Sequence, residues 1–176
     1  MLSLFILAGF ISILVHELGH ALTARRFGKQ VEIELQAFGG YAAYSGGRSL
    51  SRTQVFLITL AGPAIQIVLG WVALLMFKGY DGEPTEPMRY FLGVLSFISI
   101  IWALLNLLPV LPLDGGRLLE TVLGPQHIRL TLRISMITAI VVALLAVQLK
   151  LGVVLTIFMG FMAYESYKAL REISWR

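Results

Sequence analysis

Two histidines four residues apart with a glutamate beside the first, His16, Glu17 and His20 in the run HELGH, stand inside the first long apolar stretch of this 176-residue chain. On a helix, positions four apart are offset by only about 40°, so His16 and His20 point the same way and can reach one ion. Glu17 is turned aside by about 100°, toward a water on that ion. This is the HExxH arrangement of a hydrolytic zinc site, with two imidazoles as ligands and a carboxylate as base. The plain alternative is a chance match whose histidines are satisfied by packing. Two imidazoles and a carboxylate are poor choices for an apolar span without a task, which argues against it.

The elements that must position these residues follow from length and composition. The apolar run from Met1 to Val15 is about 15 residues, whereas crossing the hydrocarbon takes about 20 at about 1.5 Å per residue. Continuing through HELGH to Ala24, just before Arg25 and Arg26, completes a span, so the histidines belong within the membrane. With 57% hydrophobic residues, 14% charged and a mean hydropathy of +0.82, the chain is not an ordinary soluble domain. It has no cysteine, so a metal must be held by histidine and carboxylate. The N-terminus lacks a basic leader region and its apolar run contains the metal motif, so it is expected to be retained rather than cleaved.

The fold class expected is an all-α polytopic membrane protein with about five transmembrane helices, at about 2–24, 54–77, 89–108, 132–149 and 151–167. The last two are joined so closely, around Gln148, Lys150 and Gly152, that a tight antiparallel hairpin is expected. The segments 1–124 and 125–176 then divide as a core and a C-terminal hairpin of the same domain. With the N-terminus outside, Arg25, Arg26, Lys29, Arg48, Arg52, Arg117, Arg129, Arg133, Lys168, Arg171 and Arg176 share one side. Only Lys78, Arg89 and Lys150 face the other. The positive-inside rule makes the richer side, with the C-terminus, cytoplasmic, and the loop carrying Asp81, Glu83 and Glu86 external. The net charge of +4 therefore orients the chain in a lipid bilayer and does not point to nucleic acid. Tyr164, Tyr167 and Trp175 suit an interfacial aromatic belt at the cytoplasmic end of the last span.

Three further segments bear on the site. Val31 to Tyr44 alternates briefly and then reads Phe38-Gly39-Gly40, which suggests a short β hairpin or re-entrant strand pair after the first span. An open strand edge there could take up an extended peptide through main-chain hydrogen bonds. In the second span, Ala61-Gly62-Pro63 with Gln66 suggests a bent helix packed closely on the metal helix, with Gly19 and Ala24 as small contact residues; ordinary helix packing accounts for them as well. After the third span, NLLPVLPLDGG is apolar but broken by Pro109 and Pro112, which are expected to hold it extended and to end it at Asp114, with Gly115 and Gly116 turning the chain. A zinc hydrolase needs three protein ligands, and Asp114 is the carboxylate in the most apolar setting; His127, Glu120, Glu32 and Glu34 lie in polar surroundings. Capping a helix that starts near Gly116 is the plainer role for Asp114. Asn106 could orient a scissile carbonyl or steady an oxyanion, or make a packing hydrogen bond.

Taken together, HELGH in one span, Phe38-Gly39-Gly40 after it, Ala61-Gly62-Pro63 in the next and NLLPVLPLDGG after a third resemble the site-2 protease family of intramembrane zinc metalloproteases, over roughly residues 5–120. The resemblance implies a three-helix catalytic core, one Zn2+ per chain held by His16, His20 and Asp114, and Glu17 as catalytic base. It also implies cleavage of transmembrane substrates near the cytoplasmic face, often in regulated intramembrane proteolysis, in a bacterial or archaeal cytoplasmic membrane. The chain looks like a minimal form without PDZ or CBS domains, which leaves any regulatory membrane partner unidentified. Two rival readings are a metal-ion transporter, which would need ligands arranged as a path and has little use for Glu17, and a non-catalytic zinc-binding scaffold.

Overall fold

A computed structural model describes residues 1–36, 39–45, 49–83 and 86–174. The chain divides into two compact units, Met1–Leu105 and Asn106–Arg176. In the first, α1 (Leu2–Arg26) leads through a tight turn into the antiparallel strands β1 (Gln30–Gln36) and β2 (Gly39–Ser45), followed by α2 (Arg52–Lys78) and α3 (Pro87–Asn106). The second holds a short helix α4 (Asp114–Leu123), a 3-10 turn (Pro125–His127), and the long helices α5 (Ile128–Gln148) and α6 (Val153–Ser174). Among the described residues, five helices are long and apolar enough to cross a membrane.

The polarity of the burial pattern identifies the surrounding solvent. Fully or nearly fully buried side chains include Ser12, Thr59, Gln66, Ser96, Ser99, Thr131, Ser135 and Ser166, all small or polar. Large apolar side chains such as Phe5, Trp71, Phe97, Ile137 and Val154 point outward on the same helices. A water-soluble protein of this size would do the reverse; helices in lipid gain nothing from hiding leucine and pack through small and hydrogen-bonding residues instead. The chain is an integral, multi-pass membrane protein.

Local chemistry sets the ends of the site-bearing helices. At the C-terminus of α1, Gly28 (φ 80°) donates to the Arg25 carbonyl at 2.9 Å and Lys29 to the Ala24 carbonyl at 3.1 Å, a Schellman closure that needs glycine in the left-handed region. The chain thereby reverses into β1, whose register pairs Leu35 with Gly40 and Gln36 with Gly39. A capping box starts α2: Ser51 Oγ accepts from the Gln54 amide at 3.2 Å, and Gln54 Oε1 accepts from the Ser51 amide at 2.9 Å. Between α2 and α3, Arg89 donates to the carbonyls of Tyr80 (3.1 Å) and Gly82 (2.8 Å), and Tyr80 Oη donates to Glu86 Oε2 at 2.7 Å. That bond to a carboxylate raises the Tyr80 phenol above 10.0.

The segment between α3 and α4 departs from the extended run expected of two prolines. Residues 107–113 fold into consecutive turns, with the Val110 amide donating to the Leu108 carbonyl at 2.7 Å and the Leu113 amide to the Val110 carbonyl at 2.8 Å. The prolines remove two donors, and the Val110 and Leu113 amides find partners by folding the chain on itself. Asp114 consequently opens α4 instead of ending a strand, and Leu113 is the capping position, so Asp114 is not the helix cap either. The close α5–α6 pair matches expectation, linked by Leu149–Gly152 with Lys150 (φ 53°) and Gly152 (φ 119°) in left-handed conformations.

Candidate metal centre

Helix α1 buries one stripe, Ala8, Ser12, His16, His20 and Ala24, each four residues from the last, with Glu17 and Ala21 beside it. His16 and His20 are brought together with Nε2 facing Nε2 at 3.1 Å and their rings nearly perpendicular, 81° apart. Their Nδ1 atoms are both committed. His20 Nδ1 lies 2.8 Å from the Ile58 carbonyl, which can only accept, so that nitrogen carries the proton. His16 Nδ1 lies 2.8 Å from Gln66 Oε1. The Gln66 amide nitrogen donates to Ser12 Oγ at 2.8 Å and to the Ser12 carbonyl at 3.4 Å, which fixes its oxygen toward His16. Ser99 Oγ in turn donates to Ser12 Oγ at 3.0 Å.

Both neutral imidazoles are therefore the Nδ1–H tautomer, with two lone pairs directed at one point. Such an arrangement calls for a cation between them. Two nitrogens each about 2.0–2.1 Å from a tetrahedral ion would lie about 3.3–3.4 Å apart, close to the observed separation. The Nδ1 contacts to Ile58 and Gln66 are the outer hydrogen bonds that zinc-binding histidines characteristically make. The histidine pair fits zinc.

Helix α2 is shaped to allow this. A Cβ on Gly62 would strike the His20 ring, meeting Cε1 at 2.5 Å and Cδ2 at 2.8 Å. A Cβ on Gly19 would meet the Ala61 carbonyl oxygen at 2.6 Å, so both glycines are required for the approach of α1 to α2. Pro63 cannot donate to the Thr59 carbonyl and loosens the turn in which Ile58 accepts from His20. The Ala61-Gly62-Pro63 motif, read from sequence mainly as packing, thus provides the space for the His20 ring.

Of the other residues singled out, Glu17 is buried on α1 beside the pair. Asp114, half-buried, is the first residue of α4 in the second unit, and Asn106, also half-buried, is the last of α3. Gly39 and Gly40 begin β2, while Phe38, Trp175, Arg48 and Arg176 lie outside the described residues. His127 is exposed and its Nδ1 contacts the Leu123 carbonyl at 2.9 Å, which accounts for it as a helix-end donor. Sequence reasoning noted Gln66 only within a packing motif and missed Ile58, Ser12 and Ser99. The available signal was a polar residue one turn before His16 and another three residues after Pro63, both in spans.

A multi-span helical chain with paired, outer-bonded histidines in its first span has the architecture of a membrane-embedded metallopeptidase. Peptidase family M50 matches residues 4–82 and 79–149, and the chain belongs to that family. A zinc metalloprotease of Methanocaldococcus jannaschii is 32% identical over 126 residues, covering 70% of this chain and 35% of that protein. Stage IV sporulation protein FB of Bacillus subtilis is 27% identical over 175 residues, 93% of this chain and 59% of that one. Among solved structures, the site-2 protease from Methanocaldococcus jannaschii superposes with a TM-score of 0.68 at 25% identity, over 96% of this chain and 78% of that chain. The chain spans 29–35% of the length of the first metalloprotease relatives it matches.

Proposed function

We propose that this protein is a zinc-dependent intramembrane endopeptidase that hydrolyses peptide bonds in transmembrane segments near the cytoplasmic face. The observation that carries the reading is the His16–His20 pair, locked by Gln66 and Ile58 with both Nε2 atoms converging, inside a membrane-spanning helix and next to a buried glutamate. Asp114 is assigned as the third donor, because a hydrolytic zinc site takes three protein ligands and this chain, which has no cysteine, must complete the set with a carboxylate. Zinc, when bound by these three, supplies Lewis acidity to the attacking water and the scissile carbonyl.

The remaining chemistry belongs to the chain. Glu17 accepts the proton of the attacking water as its oxygen bonds to the carbonyl carbon, then delivers that proton to the departing amine nitrogen as the C–N bond breaks. The Asn106 amide donates to the developing oxyanion. A substrate helix hides its carbonyls in hydrogen bonds and must unwind first, which favours glycine or proline near the cleaved bond. The β1–β2 pair, with Gly39 and Gly40 at the start of β2, is assigned as the edge that takes up the unwound strand. His20 lies six residues before Arg26, about 9 Å along the helix axis, so with the N-terminus outside and the C-terminus cytoplasmic, cleavage falls close to the cytoplasmic surface. Release of a membrane-held segment to that side is the basis of regulated intramembrane proteolysis, in a bacterial or archaeal cytoplasmic membrane. Residues 1–124 would form the catalytic core, supported by 125–176.

The test is bound zinc and cleavage of a single-span substrate in detergent, for the parent and Glu17→Gln. Zinc near one per chain in both, with cleavage by the parent alone, supports the reading. Cleavage surviving in Glu17→Gln refutes the mechanism, and transport of zinc without cleavage refutes the function.

A further inference from the structure

Within the turns at 107–113, the Leu111 amide, flanked by the two prolines, turns away from the local backbone. It donates to Ser135 Oγ on α5 in a bond that spans 24 residues of sequence. Ser135 is fully buried and also accepts from Ser166 Oγ on α6 at 3.3 Å, so both helices of the C-terminal pair converge on that amide. The neighbouring Val110, fully buried, packs into a socket of Ala139, Met162 and Ala163. The same segment lies directly under the first turn of α4. A Cβ on Gly115 would overlap the Leu107 carbonyl, and one on Gly116 would meet the Val110 carbonyl carbon at 2.6 Å. A continuous path of contacts therefore runs from α5 and α6 through Val110 and Leu111 to the helix turn that begins with Asp114.

We propose that the α5–α6 hairpin is the seat of Asp114, and that Ser135, supported by Ser166, is a positioning residue that sets the carboxylate through the Leu111 amide. This rests on Asp114 being a zinc ligand. A carboxylate at the start of a short helix, preceded by a loop with two prolines, has its direction set by whatever holds that loop. Here a hydroxyl and an apolar socket do so. The hairpin thus contributes to metal binding without supplying a ligand.

The test compares the full-length parent with Ser135→Ala, Val110→Ala and Asp114→Ala in detergent, measuring zinc affinity by chelator competition, the visible spectrum of the cobalt-loaded protein, and hydrogen exchange at the Leu111 amide. Outer-sphere partners of metal ligands typically contribute 10- to 100-fold to affinity. Ser135→Ala is expected to weaken zinc about 10-fold, shift the cobalt spectrum toward that of Asp114→Ala, and speed exchange at Leu111, with an unfolding midpoint close to the parent's. Val110→Ala loosens the same loop without touching a hydroxyl and is expected to act in the same direction. It decides the matter if Ser135→Ala is poorly folded. Parental affinity and spectrum in both variants, beside a clear loss in Asp114→Ala, overturn the seat while leaving the ligand in place. Parental affinity and spectrum in Asp114→Ala remove the ligand itself, and the seat with it.

Discussion

Replacing Gln66 by leucine is the sharpest test of how the histidine pair is prepared. Leucine is similar in size and apolar, so the span and its packing volume are kept. The change deletes the acceptor of His16 Nδ1 at 2.8 Å and the donor to Ser12 Oγ at 2.8 Å. Losing a buried partner costs about 1–3 kcal/mol for each polar group left behind. His16 can recover part of this by moving its proton to Nε2, but that removes the lone pair aimed at the ion. The expected result is a loss of zinc affinity of about 10- to 100-fold, which is about 1.4–2.7 kcal/mol. Chelator competition on detergent-solubilised protein measures it, and 15N shifts of the His16 ring report the tautomer. Gln66→Glu keeps an acceptor for Nδ1 and is expected to retain zinc. Parental zinc affinity in Gln66→Leu, with the Nδ1–H tautomer unchanged, would refute the argument that Gln66 sets His16.

Other outcomes follow from the same geometry. Gly62→Ala is expected to lose zinc binding more severely than Gly9→Ala, because a methyl at 62 meets the His20 ring whereas nothing lies within 4 Å of one at 9; bound zinc per chain measures both. Glu17→Gln should keep zinc and lower the cleavage rate by about 10²- to 10⁴-fold, the usual contribution of a general base, measured on a single-span substrate. Tyr80 has its pKa raised by the bond to Glu86, so the stability it contributes is present below pH 10.0 and is lost as pH rises through the higher folded value. Tyr80→Phe should flatten that alkaline loss in thermal-unfolding profiles.

Much of this arrangement was legible in the residues. Hydropathy and the length requirement place α1 through His20, and a spacing of four puts both histidines on one face without knowledge of any neighbour. The strand pair was readable from a short alternation ending in two glycines. What could not be read were contacts between segments far apart in sequence. Gln66 is 50 residues from His16, and Ile58 acts through its backbone carbonyl, which any side chain at that position would leave in place. The 107–113 turns escaped for a related reason. Proline excludes helix, but whether the remaining amides extend or fold back depends on acceptors nearby, and one of these is a hydroxyl 24 residues on.

Helix α2 makes the wider point about how a membrane span is specialised. Leucine at 62, 63 and 66 would cross the bilayer at least as readily as Gly62, Pro63 and Gln66, with better helix propensity and one fewer polar group to satisfy. Each of the three residues is instead unfavourable by itself and matched to one feature of α1. Gly62 leaves room for the His20 ring, Pro63 opens the turn where Ile58 accepts the His20 proton, and Gln66 accepts that of His16. At Gly62 and Gln66 a leucine would also disturb packed or hydrogen-bonded groups of α1, so the separable case is Pro63→Ala, which returns a helical donor to the Thr59 carbonyl and should raise thermal stability or leave it unchanged while weakening zinc. Parental zinc affinity in Pro63→Ala, measured by chelator competition beside its thermal unfolding, would indicate that Pro63 serves packing alone.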